Sequence, residues 1–260
     1  MISHEKVTTP GFDFRSAMRL PDKLDSYLVD IAKRFERHRY LAGATQGLYR
    51  SQISMLKSYA EYKYGDISKV RVLDWGAGKG HISYLLRCEG FDVVSCDLDC
   101  EADDSPFTQE IPIIEDHAIN LIPLKHTFKL PFENDEFDMV VSFGVLEHVE
   151  QDFQSLKEIS RVLKKNGSFG FFFLPFWLSW SQKLAHLRGN FYHSHLYNKN
   201  DLTVMAKQAG FRVEDMWHGQ LFPKNIFPYN KAIENIDRFL CKYTPLKYFA
   251  TNLEGILIVE

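Results

Sequence analysis

Residues 70–81 read Val-Arg-Val-Leu-Asp-Trp-Gly-Ala-Gly-Lys-Gly-His, a short apolar run that ends at an acid and passes through three glycines. The run 70–73 predicts a buried strand of a parallel sheet, because its β-branched residues suit burial on both faces. Apolar residues recur at helical spacing after Gly80, which predicts a helix. A glycine turn ahead of a helix N-terminus lets a ligand approach the backbone closely. The stretch therefore predicts a site for a nucleotide-like ligand.

The spacing of the glycines separates the classes of nucleotide ligand. The dinucleotide pattern Gly-x-Gly-x-x-Gly requires glycine where this chain has His81. The phosphate-binding loop pattern requires Ser or Thr after Lys79, where the chain has Gly80. The carboxylate of Asp74 would repel a pyrophosphate but suits a ligand that carries an ammonium group. These residues favour a cationic ligand without phosphate.

A second acid, Asp97, ends the next predicted strand, Asp92 to Asp97, and follows Asp74 by 23 residues. An acid at the end of the neighbouring strand can accept hydrogen bonds from both ribose hydroxyls of a bound nucleoside. Dehydrogenases use the same geometry, so Asp97 alone does not indicate one class of ligand. It does so only together with Asp74 and the three glycines.

Taken together, these residues resemble the class I S-adenosylmethionine-dependent methyltransferases, whose first motif is an acid followed by Gly-x-Gly-x-Gly. Residues 130–142 resemble the family segment that runs from a Leu-Pro-Phe turn into the fourth strand. Residues 143–149, Phe-Gly-Val-Leu-Glu-His-Val, resemble an element of the type 11-like methyltransferases grouped with the ubiquinone and menaquinone biosynthesis enzymes. The resemblance implies a Rossmann-like α/β fold with helices on both faces of a seven-stranded, mostly parallel sheet, whose last strand is antiparallel.

The resemblance also implies S-adenosyl-L-methionine as the cofactor. Asp74 would face its methionine end, Asp97 its ribose and Leu98 its adenine. His126 stands where the family commonly has an acid that reaches the adenine amino group, and a neutral imidazole accepts at one nitrogen only, which leaves a backbone contact there. The predicted cofactor-binding residues are Asp74, Gly76, Ala77, Gly78, Gly80, Asp97, Leu98, His126, Thr127, Phe143 and Gly144.

The chain ahead of the first strand predicts an N-terminal arm and a helical cap over residues 1–66. Apolar residues at helical spacing predict one helix from about residue 21 to 35 and another from about residue 45 to 64. Residues 67–260 form the predicted methyltransferase domain, with insertions at about 175–198 and 219–250. In the cap, the basic cluster Arg34, Arg37, His38 and Arg39 could meet an anionic substrate, although a solvated helix face is the favoured interpretation.

The insertion after the fifth strand is rich in aromatic residues and histidine. In this fold it faces the transferred methyl group, so it is the predicted acceptor pocket. If the acceptor must lose a proton, His193 and His195 are the predicted bases, because an imidazole pKa near ~6.5 suits that task. His148 could polarise a substrate hydroxyl or hold its own loop by hydrogen bonds. A purely structural role is the alternative for each histidine.

Composition limits the remaining classes of function. A net charge of −3 from 31 basic and 34 acidic residues gives no electrostatic footprint for nucleic acid, so no such partner is expected. Four scattered cysteines predict no metal site and a reducing, cytoplasmic environment. The sequence starts without the apolar core of a signal peptide, so no signal peptide is expected. Its longest apolar run is shorter than the ~20 residues of a membrane span, so no transmembrane helix is expected.

The predicted function is methyl transfer from S-adenosylmethionine to a small molecule, with a hydroxyl of a sugar, a quinone-like compound or another metabolite favoured over an amine. The alternative is a non-catalytic methyltransferase-like module that binds the cofactor or a partner protein. Intact Asp74, Gly76, Gly78 and Asp97 argue against that alternative. A nicotinamide oxidoreductase is disfavoured by His81.

Overall fold

The computed structural model describes residues 11–98, 111–189, 195–222 and 228–260. A seven-stranded sheet forms the centre of this part of the chain, in the order β3-β2-β1-β4-β5-β7-β6. Its strands are β1 (Arg71–Trp75), β2 (Asp92–Leu98), β3 (Leu121–Leu124), β4 (Phe137–Phe143), β5 (Leu163–Pro175), β6 (Phe211–Gly219) and β7 (Asn252–Val259).

Strand directions follow the predicted pattern. β1 pairs in parallel with both β2 and β4, and the parallel pairing continues to β3 on one side and β5 on the other. β7 is antiparallel to both of its neighbours, β5 and β6. The predicted fold class, with its antiparallel last strand, is confirmed. The strand order reverses beside β1, and open α/β sheets bind ligands at the carboxyl ends of the strands at such a point.

Helices cover both faces of the sheet. Adjacent strand residues point to opposite faces, so Val72 packs into a core with residues of the helices α1 to α4, whereas Leu73 packs into a second core with α6 and α8. None of the helices in the described ranges has the length and apolar character needed to cross a membrane. The helices are α1 (Phe14–Ala17), α2 (Ser26–Arg34), α3 (Ala44–Tyr64), α4 (His81–Cys88), α5 (Ile113–Asp116), α6 (Asp152–Val162), α7 (Trp180–Leu187), α8 (Lys199–Gln208) and α9 (Lys231–Tyr243), with 3₁₀ helices at Glu36–Ala42, Ile67–Lys69, Leu146–His148 and Pro245–Phe249.

The first helix of the predicted cap is shorter than its apolar spacing suggests. Its N-terminus is capped by Asp25, whose carboxylate accepts the Leu28 N–H at 3.0 Å. It ends at Arg34, and the chain continues as the 3₁₀ helix Glu36–Ala42, which bends at His38 (φ −104°, ψ 21°). We call residues 36–42 the cap segment. The bend buries His38 and Leu41, so tertiary packing overrides the helical pattern here.

The end of α6 also differs from the prediction. From Asp152 onward, apolar residues at helical spacing, two lysines at 164 and 165 and the pair Asn166-Gly167 predict a helix that ends at this pair. Instead, α6 ends at Val162 and β5 starts at Leu163. Leu163 pairs with Phe137 of β4, and Lys164 Nζ lies 2.9 Å from the Asp138 carboxylate. Strand pairing and this ion pair hold the segment extended, an outcome that helical propensity alone does not reveal.

Candidate active site

A cavity of about 1220 Å³ opens at the carboxyl ends of β1 to β4. The turn after β1, the ends of β2 and β3 and the loop after β4 form part of its wall, and the cap segment and the start of α3 form another part. Most small-molecule pockets measure roughly 300–1,000 Å³. The cavity therefore has room for a cofactor together with a second ligand.

The glycine turn forms one part of this wall. Gly76, Gly78 and Gly80 have φ angles of +79°, +52° and +80°, in the region that residues with a side chain rarely adopt. A Cβ at Gly76 would lie 2.3 Å from a Val145 methyl carbon, so the loop after β4 can approach the turn only because glycine stands there. The N–H groups of Gly76 and Ala77 donate to the Cys96 carbonyl at 2.9 and 3.0 Å, which attaches the turn to β2.

Asp97 lies at the end of β2, beside the turn. Its Oδ2 accepts the Gly78 N–H at 2.5 Å and its Oδ1 accepts the Leu98 N–H at 2.7 Å. Burial raises the pKa of Asp97, while these two hydrogen bonds and the charge of Lys79 act in the opposite direction. The carboxylate is held on the cavity wall with lone pairs left to accept further hydrogen bonds, as a vicinal diol would need.

Asp74 lies behind the turn, outside the set of cavity-lining residues. It is buried, and its Oδ2 accepts the Ser83 hydroxyl at 2.5 Å, while Ser83 accepts the Ser95 hydroxyl at 2.8 Å. Burial, with the neighbouring charge of Asp97, raises the pKa of Asp74 to about 7. The carboxyl therefore joins β1 to α4 and β2. A direct contact between Asp74 and the methionine end of a cofactor stays a prediction.

The other predicted cofactor residues divide into two groups. Gly80 is the N-cap of α4 and packs towards α5, and the His126 ring stacks on Phe128 with centroids 5.1 Å apart, so neither lines the cavity. Leu98 lines it and is 44 % exposed. The predicted residues that the structure brings together on the wall are Gly76, Ala77, Gly78, Asp97, Leu98, Thr127, Phe143 and Gly144.

The predicted acceptor histidines do not meet at the cavity. His193 lies outside the described residues. His195 is absent from the lining of this cavity, and its ring packs near Tyr197, 6.4 Å between centroids. The Tyr197 hydroxyl donates to the Leu146 carbonyl at 3.1 Å and to Asp152 Oδ2 at 3.0 Å, so this part of the insertion is attached to the start of α6. The role of these histidines as bases stays a prediction.

His148 does line the cavity. Its Nε2 lies 3.9 Å from Glu147 Oε1, and burial lowers the pKa of the His148 imidazole. The ring is therefore mainly neutral at neutral pH. Its side chain could polarise a substrate hydroxyl or hold the loop after β4, as the sequence suggests.

A group of polar aromatic side chains lines the cavity from the cap segment and from α3 and α4, and sequence reasoning missed it. The His81 ring lies 5.9 Å from Tyr40 and 5.1 Å from Tyr49, centroid to centroid. Burial lowers the pKa of His81 to about 4 and raises that of Tyr40 to about 12. Both are neutral at neutral pH. Their only sequence signal was the presence of His81 where a dinucleotide site has glycine.

Comparisons with solved structures and with a family model bear on the fold of this chain. A structure of an S-adenosylmethionine-dependent methyltransferase from Archaeoglobus fulgidus shares the fold, with a TM-score of 0.52 over 91 % of this chain and 100 % of that one at 15 % identity. Residues 73–171 match the family model described as a methyltransferase domain. Residues 73–171 are therefore similar to methyltransferase domains, and the described part of the chain has the fold of the class I methyltransferases.

Curated relatives match this chain over part of their own length. A ubiquinone biosynthesis O-methyltransferase from Rickettsia canadensis is 31 % identical over 104 residues, which are 40 % of this chain and 42 % of that protein. A protein of Mycolicibacterium smegmatis named as a probable S-adenosylmethionine-dependent methyltransferase is 29 % identical over 156 residues, 57 % of this chain and 55 % of that protein. The chain thus spans about half the length of the curated relatives it matches. S-adenosylmethionine is the cofactor that this domain implies.

Proposed function

We propose that this chain is an S-adenosylmethionine-dependent methyltransferase that acts on a small-molecule acceptor, with transfer to oxygen favoured over transfer to nitrogen. One observation carries the proposal: the glycine turn and Asp97 are joined by a hydrogen bond on the wall of a cavity at the carboxyl edge of the sheet. The similarity to ubiquinone biosynthesis O-methyltransferases supports oxygen as the acceptor atom.

The residues of the cavity fit this cofactor. A Cβ at Gly78 would stand 3.8 Å from Asp97 Oδ2, in the space beside the carboxylate that a ribose would occupy. Asp97 would hold the ribose hydroxyls, Leu98 would contact the adenine, and Phe143 with Gly144 would line the methionine end. When bound, S-adenosylmethionine supplies an activated methyl group on a sulfonium.

The chain itself would contribute alignment and exclusion of water. Holding two reactants in line converts a bimolecular step into an effectively unimolecular one, and this can remove a large part of the barrier. The loop after β4 and the cap segment line the same cavity, so they can orient an acceptor beside the cofactor. If the acceptor is a hydroxyl, the neutral imidazoles of His38 and His148, both on the wall, can accept its proton.

Two measurements on the full chain test the proposal. Calorimetry with S-adenosylmethionine should show saturable binding of one molecule per chain. Incubation of the protein with methyl-labelled cofactor and host small-molecule extracts should then give labelled products by mass spectrometry. No binding at millimolar cofactor would contradict the proposal, and binding without transfer to any extract would favour the non-catalytic module.

A further inference from the structure

We propose that this chain binds the surface of membranes that contain anionic lipid, through exposed apolar side chains at the carboxyl edge of the sheet. The inference goes beyond the proposed function and does not depend on it. Most of the large apolar side chains that are exposed in the described residues belong to two segments, residues 177–188 and 236–249. We call these two segments the apolar surface. They include α7, most of α9 and the 3₁₀ helix ahead of β7.

Helix α9 has its acidic side chains on the inside and its apolar side chains on the outside. A helix at the surface of a globular protein normally turns its apolar face to the core. In α9, Glu234 and Asp237 are buried, whereas Ile236, Phe239 and Tyr243 are each more than half exposed. These three side chains follow at helical spacing and form one stripe. An exposed apolar stripe of this kind indicates a surface that binds a partner.

Helix α7 and the 3₁₀ helix ahead of β7 lie beside α9. Trp180 Nε1 donates to the Leu221 carbonyl at 2.8 Å, and the Leu221 N–H donates to Asp237 Oδ1 at 2.9 Å, so residue 221 joins α7 to α9. The hydroxyls of Ser181 and Thr251 lie 3.2 Å apart, which places the start of α7 beside the end of the 3₁₀ helix. That 3₁₀ helix also contacts α9. The three elements therefore adjoin one another.

The apolar surface lies at the same edge of the sheet as the cavity. Asn252, where β7 starts, pairs with Pro175 at the end of β5 and with Gly219 at the end of β6. The chain enters or leaves the apolar surface close to these three strand ends. Helix α9 starts shortly after Pro228, which lines the cavity. A membrane bound to this surface would therefore lie on the side of the molecule where the cavity opens.

The charges of the apolar surface favour an anionic partner. Asp237 is the one acid in its two segments, and it is buried. Lys183 and Arg188 are exposed, and within the described part of the chain neither forms an ion pair. Lys242 Nζ lies 3.7 Å from Asp13, so that lysine already has an acidic neighbour and is left out of the argument. The exposed charge of the two segments is therefore positive.

A lipid surface fits these properties better than a second copy of the chain. In a symmetric dimer through the apolar surface, Lys183 and Arg188 of both copies would lie in one interface, and like charges oppose such a contact. Anionic lipid headgroups attract the same residues. Trp177, Trp180 and Tyr243 are exposed aromatic side chains with one polar edge, a type that is enriched at membrane–water interfaces. Amphipathic helices with aromatic residues and leucine beside lysine or arginine lie in the plane of that interface without crossing the membrane.

Flotation of the full chain with lipid vesicles tests this inference. The vesicles consist of phosphatidylcholine alone or of equal parts of phosphatidylcholine and phosphatidylglycerol. We expect the chain to bind the mixed vesicles about tenfold or more tightly than the neutral ones, and to lose this preference at high salt. The double variant Leu187→Ser/Phe239→Ser should bind the mixed vesicles about tenfold or more weakly than the unaltered chain, because it removes two apolar side chains from the contact.

The matched control is Tyr62→Ser/Val204→Ser, which removes two exposed apolar side chains from α3 and α8, outside the apolar surface. It should bind the mixed vesicles like the unaltered chain, and thermal unfolding should show that both double variants are folded. Binding of the unaltered chain to neither kind of vesicle, or equally to both, would overturn the inference. Equal binding by the two double variants would do the same. So would sedimentation of the unaltered chain as a dimer that Leu187→Ser/Phe239→Ser dissociates, because a second copy would then cover the apolar surface.

Discussion

The glycine turn and the cap segment line the same cavity by different physical means. The turn presents glycine backbone and, beside it, a single carboxylate, held by positive φ angles and by the hydrogen bond from Gly78 to Asp97. The cap segment presents long or aromatic side chains on a short 3₁₀ helix, and Arg37 and Arg39 are exposed. The first surface is fixed by the backbone, whereas the second can change with each side chain.

This difference separates the two ligands of a methyl transfer. A backbone-built surface suits an invariant cofactor, because few substitutions alter it. A side-chain surface suits the acceptor, which differs from one methyltransferase to another. Changes to the turn should therefore affect cofactor binding and folding, and changes to the cap segment should affect acceptor binding alone.

The largest effect is expected for Gly76→Ala. The added Cβ would lie 2.3 Å from a Val145 methyl carbon. The alanine would also have to keep the φ of +79° that Gly76 has. The strained φ costs about 1 kcal/mol and the overlap a further ~1–3 kcal/mol. Gly189→Ala is the matched control, since Gly189 has a φ of +76° with nothing within 4 Å of its added Cβ. Thermal unfolding should show a clearly greater loss for Gly76→Ala; equal losses would contradict the close approach of Val145.

Asp97→Asn should weaken cofactor binding without loss of folding. The amide can still accept the Gly78 N–H but loses the charge, and a hydrogen bond to a charged group contributes about 1.5–3 kcal/mol, or ~10- to 100-fold in affinity. Calorimetry with S-adenosylhomocysteine measures the change. Asp92→Asn, at the exposed start of the same strand, is the control and should bind normally. An unaltered affinity in Asp97→Asn would remove the ribose-binding role.

Tyr49→Leu should act on the acceptor and not on the cofactor. The change removes ring contacts with His81, Phe143 and Phe173, each worth ~0.5–1.5 kcal/mol. Once an acceptor is identified, steady-state kinetics should show a KM for it raised about tenfold, with the KM for S-adenosylmethionine unchanged. The control Tyr62→Leu removes an exposed tyrosine of the same helix. A raised KM for the cofactor alone would place Tyr49 beside the cofactor and not beside the acceptor.

The smallest effect is a pH dependence of stability from Asp74. Its pKa of about 7 lies above the ordinary value of ~4, so between these pH values the folded chain keeps a proton that the unfolded chain releases. This contribution to stability is complete below pH ~4 and is lost as the pH rises towards 7. The variant Asp74→Asn has no carboxyl at this position and does not show this loss. From pH 5 to pH 8, its free energy of unfolding should therefore rise by more than about 1 kcal/mol relative to that of the unaltered chain.

Urea unfolding at both pH values measures this difference. The control is Asp30→Asn, at an exposed position on α2. Its free energy of unfolding should differ from that of the unaltered chain by the same amount at both pH values. The cofactor affinity of Asp74→Asn sharpens the comparison further. We expect it to change less than that of Asp97→Asn, because Asp74 lies behind the turn; an equal loss would indicate a direct contact between Asp74 and the cofactor.

The turn was predictable from the sequence because its constraints are local. Three glycines between an apolar run and a helical pattern specify a backbone conformation, and Asp97 follows from the alternation of strands and helices. The resemblance to the methyltransferase family predicted the mostly parallel sheet and its antiparallel last strand. The position of Asp74 behind the turn was harder to predict from the sequence. Its partner Ser83 and the Ser95 hydroxyl that donates to Ser83 lie on other elements, and neither serine stands in a recognisable motif.

The cap segment was not predictable because its shape depends on tertiary contacts. The apolar spacing continues through Phe35, so nothing local indicates that α2 ends at Arg34. The burial of His38 and Leu41 decides the bend, and with it the placement of Arg37 on the cavity wall. His195 illustrates the converse: its aromatic surroundings suggested a substrate pocket, but Tyr197 attaches the described part of that segment to α6.

A crystal structure of the full chain with S-adenosylhomocysteine would test the division of the cavity most directly. We expect the ribose hydroxyls within hydrogen-bond distance of Asp97, the adenine against Leu98, and open space beside Arg37 and Tyr49 for the acceptor. A nucleoside bound against the cap segment, with no contact to Asp97, would contradict this division of the cavity.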